Sequence, residues 1–172
     1  EVPIPIVVYN IPGRTGVNMT PETLARLAQI KNIVGVKEAS GSIKQMSDVI
    51  ALCGADFDVL SGDDLFTLPL LSMGGQGIIS VISNVAPADM SAMVDAFAAG
   101  DLGKARQLHR RMSPLIDALF IETNPVPVKA VLAMMGKIDY EVRLPLSKLS
   151  DANYEKLLKA VTDYGLLCAA AR

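Results

Sequence analysis

Lys37 is the residue hardest to explain without chemistry. It closes the apolar run Ile33-Val34-Gly35-Val36, and strand alternation puts it on the side of Ile33 and Gly35. An ammonium on a buried strand is costly unless it is paired or can shed its proton. Once desolvated and neutral, such an amine can attack a carbonyl and form a Schiff base. The alternative is a lysine that snorkels outward from a strand end. Tyr9 ends the preceding apolar run, Pro5-Ile6-Val7-Val8, in the same manner. If the two runs are neighbouring strands they lie about 4.8 Å apart, with both side chains at one rim. A phenol there can relay protons to a carbinolamine or an imine. A core tyrosine with its hydroxyl at the surface is the competing reading.

Three further positions belong to the same discussion. Arg14 sits in Pro12-Gly13-Arg14-Thr15-Gly16, directly after the first run. A guanidinium fork at that mouth suits a carboxylate, although a lone loop arginine can simply be solvated. Asp63 and Asp64 follow a third apolar run; with no histidine cluster beside them, capping of a helix start explains them better than a metal does. Glu38 is placed to support Lys37 or to pair with it. His109, the one histidine, lies among Arg110 and Arg111 on a helical stretch and reads as a surface residue. No Cys/His metal pattern, Ser-His-Asp order or phosphate loop is present, so acid–base work falls to Tyr, Lys or carboxylates.

The elements that would position these residues alternate. Strand-like runs at Pro5–Tyr9, Ile33–Lys37, Phe57–Leu60 and Gly77–Ile82 are each followed by a helical pattern. Their starts are about 20 to 29 residues apart, the spacing of right-handed βα units around a parallel sheet. Thr20-Pro21-Glu22 marks one helix start, and Gly54 marks a stop. Gly13 to Asn18 reads as loop, and Met73-Gly74-Gly75-Gln76-Gly77 as a helix stop and turn. After Gly100 the strands cease. Leu102, Ala105, Leu108, Met112, Leu115 and Leu119 form one face of a long helix. A second helix runs to Met135 and a last one from about Asp151 to Tyr164. Residues 1–100 therefore read as a βα-repeat domain and 101–172 as a helical appendage. The turn after the first strand is not a dinucleotide-binding turn. That leaves an open doubly wound sheet or part of a closed barrel.

Bulk properties narrow the class. A net charge of −2 gives no electrostatic reason to bind nucleic acid. Apolar content of 51% excludes a disordered chain. Gly, Pro, Asp or Lys interrupts every apolar run before it reaches membrane-spanning length. Cys53 and Cys168 show no spacing pattern, so free thiols in a reducing, cytoplasmic compartment are expected.

Four segments in order carry a resemblance. They are Tyr9-Asn-Ile-Pro-Gly-Arg14-Thr-Gly16, Gly35-Val-Lys37-Glu-Ala-Ser40, Ser61-Gly-Asp-Asp64 and Gly77-Ile-Ile-Ser80. Together with Asn124-Pro-Val-Pro-Val-Lys129 they resemble the dihydrodipicolinate synthases of the pyruvate-dependent aldolase superfamily, from residue 1 to about Leu167. The resemblance implies a TIM (β/α)8-barrel family fold, here four βα units of the second half plus a C-terminal helical appendage. It implies condensation of pyruvate with L-aspartate 4-semialdehyde, the first committed step of diaminopimelate and lysine biosynthesis, with no metal and no cofactor beyond the covalent pyruvate imine. Lys37 would form the Schiff base and Tyr9 would relay protons. Arg14 would hold the semialdehyde carboxylate, Ile79 would contact pyruvate through its backbone, and Gly62 would line the pocket. A cytoplasmic homotetramer is the implied assembly. Sialic acid lyases share the lysine strand but tend to follow it with Phe-Thr and lack the loop arginine; Glu38-Ala39 and Arg14 favour the synthase over them, while a sugar-acid aldolase with similar loops stays an alternative.

The resemblance also has gaps. A complete barrel of this kind has eight βα units and about 250 residues. The family's Gly-Thr-Thr-Gly-Glu segment, its second relay tyrosine and its lysine-binding region have no counterpart here. Glu1 stands directly before the first apolar run, as though the chain were cut from something longer. Four strands taken from a barrel leave two unpaired edges and an apolar inner face. The expectation is thus a part of a longer polypeptide, a half that pairs with a missing N-terminal half, or a truncated form that is stable only as an oligomer. An inactive half-barrel is the alternative to the enzyme.

Overall fold

The computed structural model describes residues 3–167. Two compact units divide the chain between Ser80 and Val81. In the first, strands β1 (Ile6–Asn10), β2 (Ile33–Glu38), β3 (Asp58–Ser61) and β4 (Gly77–Ile78) lie side by side in chain order. Every pairing is parallel. Parallel neighbours in chain order need a crossover between each pair. Helices α2 (Pro21–Leu27), α3 (Ile43–Cys53) and α4 (Thr67–Ser72) lie within those crossovers. This is the expected α/β architecture of a partial barrel.

Local chemistry sets the helix ends. Thr20 Oγ1 accepts from the Thr23 amide with Pro21 at the first helical position, and Ser42 Oγ accepts from the Gln45 amide at 3.2 Å. Each such cap is worth about 1 kcal/mol. Gly54 then turns the chain out of α3 with φ at +82°. One face of the sheet is closed by these helices. Val36 and Val59 are buried against Leu24, Met46, Val49 and Leu70. The other face is open: Val7, Tyr9 and Ile79 remain 42%, 45% and 42% exposed.

The second unit is helical. A 3₁₀ turn at Ile82–Asn84 precedes α5 (Pro87–Ala98), α6 (Leu102–Leu119), α7 (Val126–Met134) and α8 (Asp151–Tyr164). Helix α5 packs on α6, and α8 packs on both α6 and α7. Ala105, Met112, Leu115 and Leu119 form the buried stripe of α6, as their spacing predicts, while Leu102 at its start is exposed. The α5–α6–α8 junction is tied by Asp89, which accepts from the Tyr164 hydroxyl and pairs with Arg111 at 3.5 Å. Burial, and then the bond to Asp89, hold the Tyr164 phenol above its ordinary pKa.

Several expectations differ from the structure in detail. The compact division falls at Ser80 rather than near Gly100, because α5 packs on α6 in the helical unit. The fourth strand is two residues long, not six; by Ile82, which is buried, the chain has entered a 3₁₀ turn. The loop after β1 contains a helical turn, α1 (Pro12–Thr15), closed by Gly16 at φ +72°. His109 is half-buried rather than a surface group, with Nδ1 shielded and without a hydrogen-bond partner. Burial first, and Arg110 second, lower its pKa. Cys53 is a free thiol whose pKa burial raises. Cys168 lies outside the described residues. No helix among them is long and apolar enough to cross a membrane.

The start of α8 gives a test of this helical unit. Glu122 Oε1 accepts from Asn153 Nδ2 at 2.8 Å and from the amide and hydroxyl of Ser150, both at 3.1 Å. The Asn153 bond, and after it the Ser150 amide, hold the Glu122 carboxyl below its usual pKa. A depressed folded pKa means that this contribution is present above the unfolded pKa and disappears as pH falls through the folded one. Circular-dichroism melts of Glu122→Gln should therefore show a smaller loss of Tm than the unaltered chain between about pH 5 and pH 3. Parallel curves would remove Glu122 from the acid limb.

Candidate active site

The site is built from the carboxyl ends of the strands. Parallel pairing sets Tyr9 opposite Lys37, and Lys37 opposite Leu60. Register-paired residues point to the same face, so Tyr9, Lys37 and Leu60 share the open side. Lys37 is half-buried, and its Nζ rests 4.1 Å from the centroid of the Tyr9 ring. The electron-rich face of a phenol attracts an ammonium by about 0.5–1 kcal/mol at an exposed site. The amine therefore has a defined resting place beside the phenol that could exchange protons with it.

Gly62 follows β3 and shapes the other flank of the lysine. Its amide donates to Glu38 O at 2.8 Å. A Cβ there would stand 2.6 Å from the Ala39 Cβ and 3.2 Å from both Cγ and Cε of Lys37. Only a residue without a side chain leaves the lysine stem its space. Ile79 lies just past β4; its amide donates to Ser61 O at 2.9 Å, so any further backbone contact would come from its carbonyl. Arg14 lies on α1, exposed, its amide bonded to Ile11 O at 3.0 Å. The fold thus brings Lys37, Tyr9 and Gly62 together directly, and sets Ile79 and Arg14 just beyond the ends of β4 and β1.

The acidic residues divide the work differently from the simplest reading. Asp63 Oδ1 accepts from the Leu65 amide at 2.9 Å and caps the 3₁₀ turn Asp64–Phe66, as expected. Asp64 is buried and accepts from Ser80 Oγ. Glu38 does not face Lys37. Strand alternation sends it through the sheet to the helix-covered side, where it is fully buried. There it accepts from Asn10 Nδ2 at 3.0 Å, Gln45 Nε2 at 3.3 Å and the Ser40 amide at 2.7 Å. Sequence reasoning missed Asn10, Asn18 and Gln45. The available signal was a polar pair, Asn10 and Glu38, one step beyond Tyr9 and Lys37 on strands otherwise apolar. Among the described residues, no group of three or more His, Cys, Asp or Glu is arranged to hold a metal ion.

Comparison with known proteins places this geometry in context. Residues 1–164 match the dihydrodipicolinate synthetase family. The chain is 67% identical over 167 residues to a 4-hydroxy-tetrahydrodipicolinate synthase of Syntrophus aciditrophicus (strain SB), covering 97% of this chain and 57% of that protein. Among solved structures, a dihydrodipicolinate synthase of Thermotoga maritima superposes with a TM-score of 0.95 at 48% identity, over 97% of this chain and 58% of the other. The corresponding enzyme of Aquifex aeolicus gives 0.94 at 42% identity, over 96% and 57%. The chain therefore spans a little over half the length of the relatives it matches.

The tight fit at Gly62 is open to measurement. Gly62→Ala should lower the unfolding free energy in urea by about 1–3 kcal/mol, the usual cost of overpacking. Gly13→Ala is the control, because nothing lies within 4 Å of the added carbon. Equal stability of the two variants would show that the Lys37 flank has room to spare.

Proposed function

Because the chain belongs to the dihydrodipicolinate synthetase family, we propose that it carries the Schiff-base lysine and the proton relay of a 4-hydroxy-tetrahydrodipicolinate synthase. The observation that carries this reading is the Lys37 amine lying 4.1 Å from the Tyr9 ring centroid at the carboxyl ends of paired parallel strands. Barrel active sites gather at that end.

The chemistry assigned to each residue is as follows. The Lys37 nitrogen lone pair attacks C2 of pyruvate, and the resulting carbinolamine loses its oxygen as water to leave an iminium ion. That electron sink lets the methyl group of pyruvate release a proton and become an enamine carbon. The enamine carbon attacks the aldehyde of L-aspartate 4-semialdehyde, whose oxygen takes up a proton. The substrate's own amino group can then displace Lys37 at C2 and close the ring. Tyr9, whose ring centroid lies 4.1 Å from the amine, delivers and recovers the protons. Arg14, at the mouth of β1, takes the carboxylate of the semialdehyde as a forked ion pair. Ile79 contacts pyruvate through its backbone, and Gly62 keeps the lysine stem unhindered. No metal or separate cofactor enters this scheme. The setting we assign is cytoplasmic, in a homo-oligomer.

A second reading concerns what this stretch does alone. The open sheet face, with Val7, Tyr9 and Ile79 more than two-fifths exposed, favours a half-barrel that works only when the remaining βα units cover that face. Under this reading the covalent step needs the complementary half of the barrel.

Borohydride reduction in the presence of pyruvate tests the first reading. Peptide mapping should find an N-carboxyethyl group on Lys37 and on no other lysine. Its absence from the chain, with appearance once the complementary half of a family member is supplied, would select the second. Arg14→Ala should weaken turnover of aspartate semialdehyde in the assembled barrel by about 10- to 100-fold, the loss of a charge-assisted contact of 1.5–3 kcal/mol. Unchanged turnover would point to a different aldehyde.

A further inference from the structure

Asn10 and Glu38 are a register pair, one residue beyond Tyr9 and Lys37, on the opposite face of the sheet. Both are buried, at 1% and 0% exposure. The Glu38 carboxylate gathers donors from three separate elements: Asn10 Nδ2 on β1 at 3.0 Å, Gln45 Nε2 on α3 at 3.3 Å, and the Ser40 amide beyond β2 at 2.7 Å. Asn10 is itself held on both sides of its amide. Its Nδ2 also donates to Asn18 Oδ1 at 2.9 Å, and its Oδ1 accepts from the Met19 amide at 3.0 Å. Asn18 and Gln45 bond to each other in both directions, at 2.9 and 3.1 Å.

Nothing in the proposed chemistry uses this network, and packing alone does not call for it. A buried carboxylate with no cationic partner among the described residues is costly, and its three donors offset that cost rather than add stability. Elsewhere on the same face Val36 and Val59 fill the space with apolar groups. What a polar pair supplies and a valine pair does not is register. A slip of β1 against β2 by one residue would turn Tyr9 or Lys37 to the wrong face. It would also set Glu38 opposite Tyr9 or Ile11 in place of Asn10.

We propose that Glu38, clamped by Asn10 and Gln45, is the positioning residue that holds the Tyr9 phenol against the Lys37 amine through the sheet. The assignment deepens the Schiff-base reading of Lys37 and Tyr9 and rests on it for its functional meaning. Glu38 touches neither reacting group, so its effect must be read at the pair it positions.

The test observes that pair without substrate. Reductive methylation with ¹³C-formaldehyde labels every lysine of the intact chain. Methyl groups on Lys37 should resonate upfield of the rest, because its nitrogen lies over the Tyr9 ring; loss of that peak in Lys37→Arg assigns it. Glu38→Gln keeps the size but turns one acceptor into a donor that faces two donors. It should move the shifted peak back toward the common lysine position while circular dichroism stays native. The pair Asn10→Asp with Glu38→Gln exchanges acceptor and donor and should restore the shift. If Glu38→Gln does not fold, Gln45→Leu removes one clamp and should move the peak in the same direction. A native-like Glu38→Gln or Gln45→Leu with the peak unmoved overturns the proposal, as does an unaltered chain with no shifted peak. Borohydride trapping with pyruvate is then run separately. Slower trapping in Glu38→Gln, on the order of 10- to 100-fold, is expected of a displaced nucleophile. A shifted peak that responds to Glu38, in a chain that traps no pyruvate even when the complementary half of a family member is supplied, would defeat the Schiff-base reading and leave the positioning role standing.

Discussion

The parallel register between β1 and β2 is the constraint on which the rest depends. It sets Tyr9 beside Lys37 and, one residue later, Asn10 beside Glu38. Because a strand alternates faces, these consecutive pairs lie on opposite sides of a sheet one layer thick. One pair, the phenol and the amine, is half-exposed; the other is buried and fully hydrogen-bonded. The same two strands thus present an amine to one side while anchoring it from the other. Helices α2 and α3 complete the anchor, since Asn18 and Met19 precede α2 and Gln45 lies in the first turn of α3.

Much of this was legible in the sequence, and for identifiable reasons. The first three strands stand out as short apolar runs, and Thr20, Gly54 and Asp63 act where their turn chemistry places them. Lys37 is conspicuous because a charge on an apolar strand demands a cause. A direct pairing of Glu38 with Lys37 is not formed: the next residue in the chain is the nearest in sequence, yet the pleat sends it to the far face, where it can act on Lys37 only through the strand. The fourth strand is overestimated because Ser80 is the single polar residue between Ile78 and Ile82. Periodicity cannot tell a buried strand from a buried 3₁₀ turn in so short a run. His109 has charged neighbours on both sides of the helix stripe, which hides the fact that its own side is packed. The resemblance to a known family adds expected roles for Ile79 and Gly62 that no local pattern contains.

The helical unit is held by a different logic. Its stripe of Met112, Leu115, Ile116 and Leu119 supplies apolar burial. Its longest-range directional contacts among the described residues are Asp89 with Tyr164, and Glu122 with Ser150 and Asn153. Each joins segments 28 or more residues apart. They tell the helices where to stop against one another, a task that non-directional packing performs loosely.

The unequal lengths of the two outer strands have a consequence of their own. β1 offers a five-residue outer ladder, whereas β4 offers two residues before the chain turns away. Short border strands are poor templates for a newcomer, and long flat ones are good templates. Adventitious growth of this sheet, in a concentrated or partly unfolded solution, is therefore directional. Incoming polypeptide would be recruited beside Ile6–Asn10, and a proline or lysine installed at the outward-facing amides of that strand is where solubility would be gained.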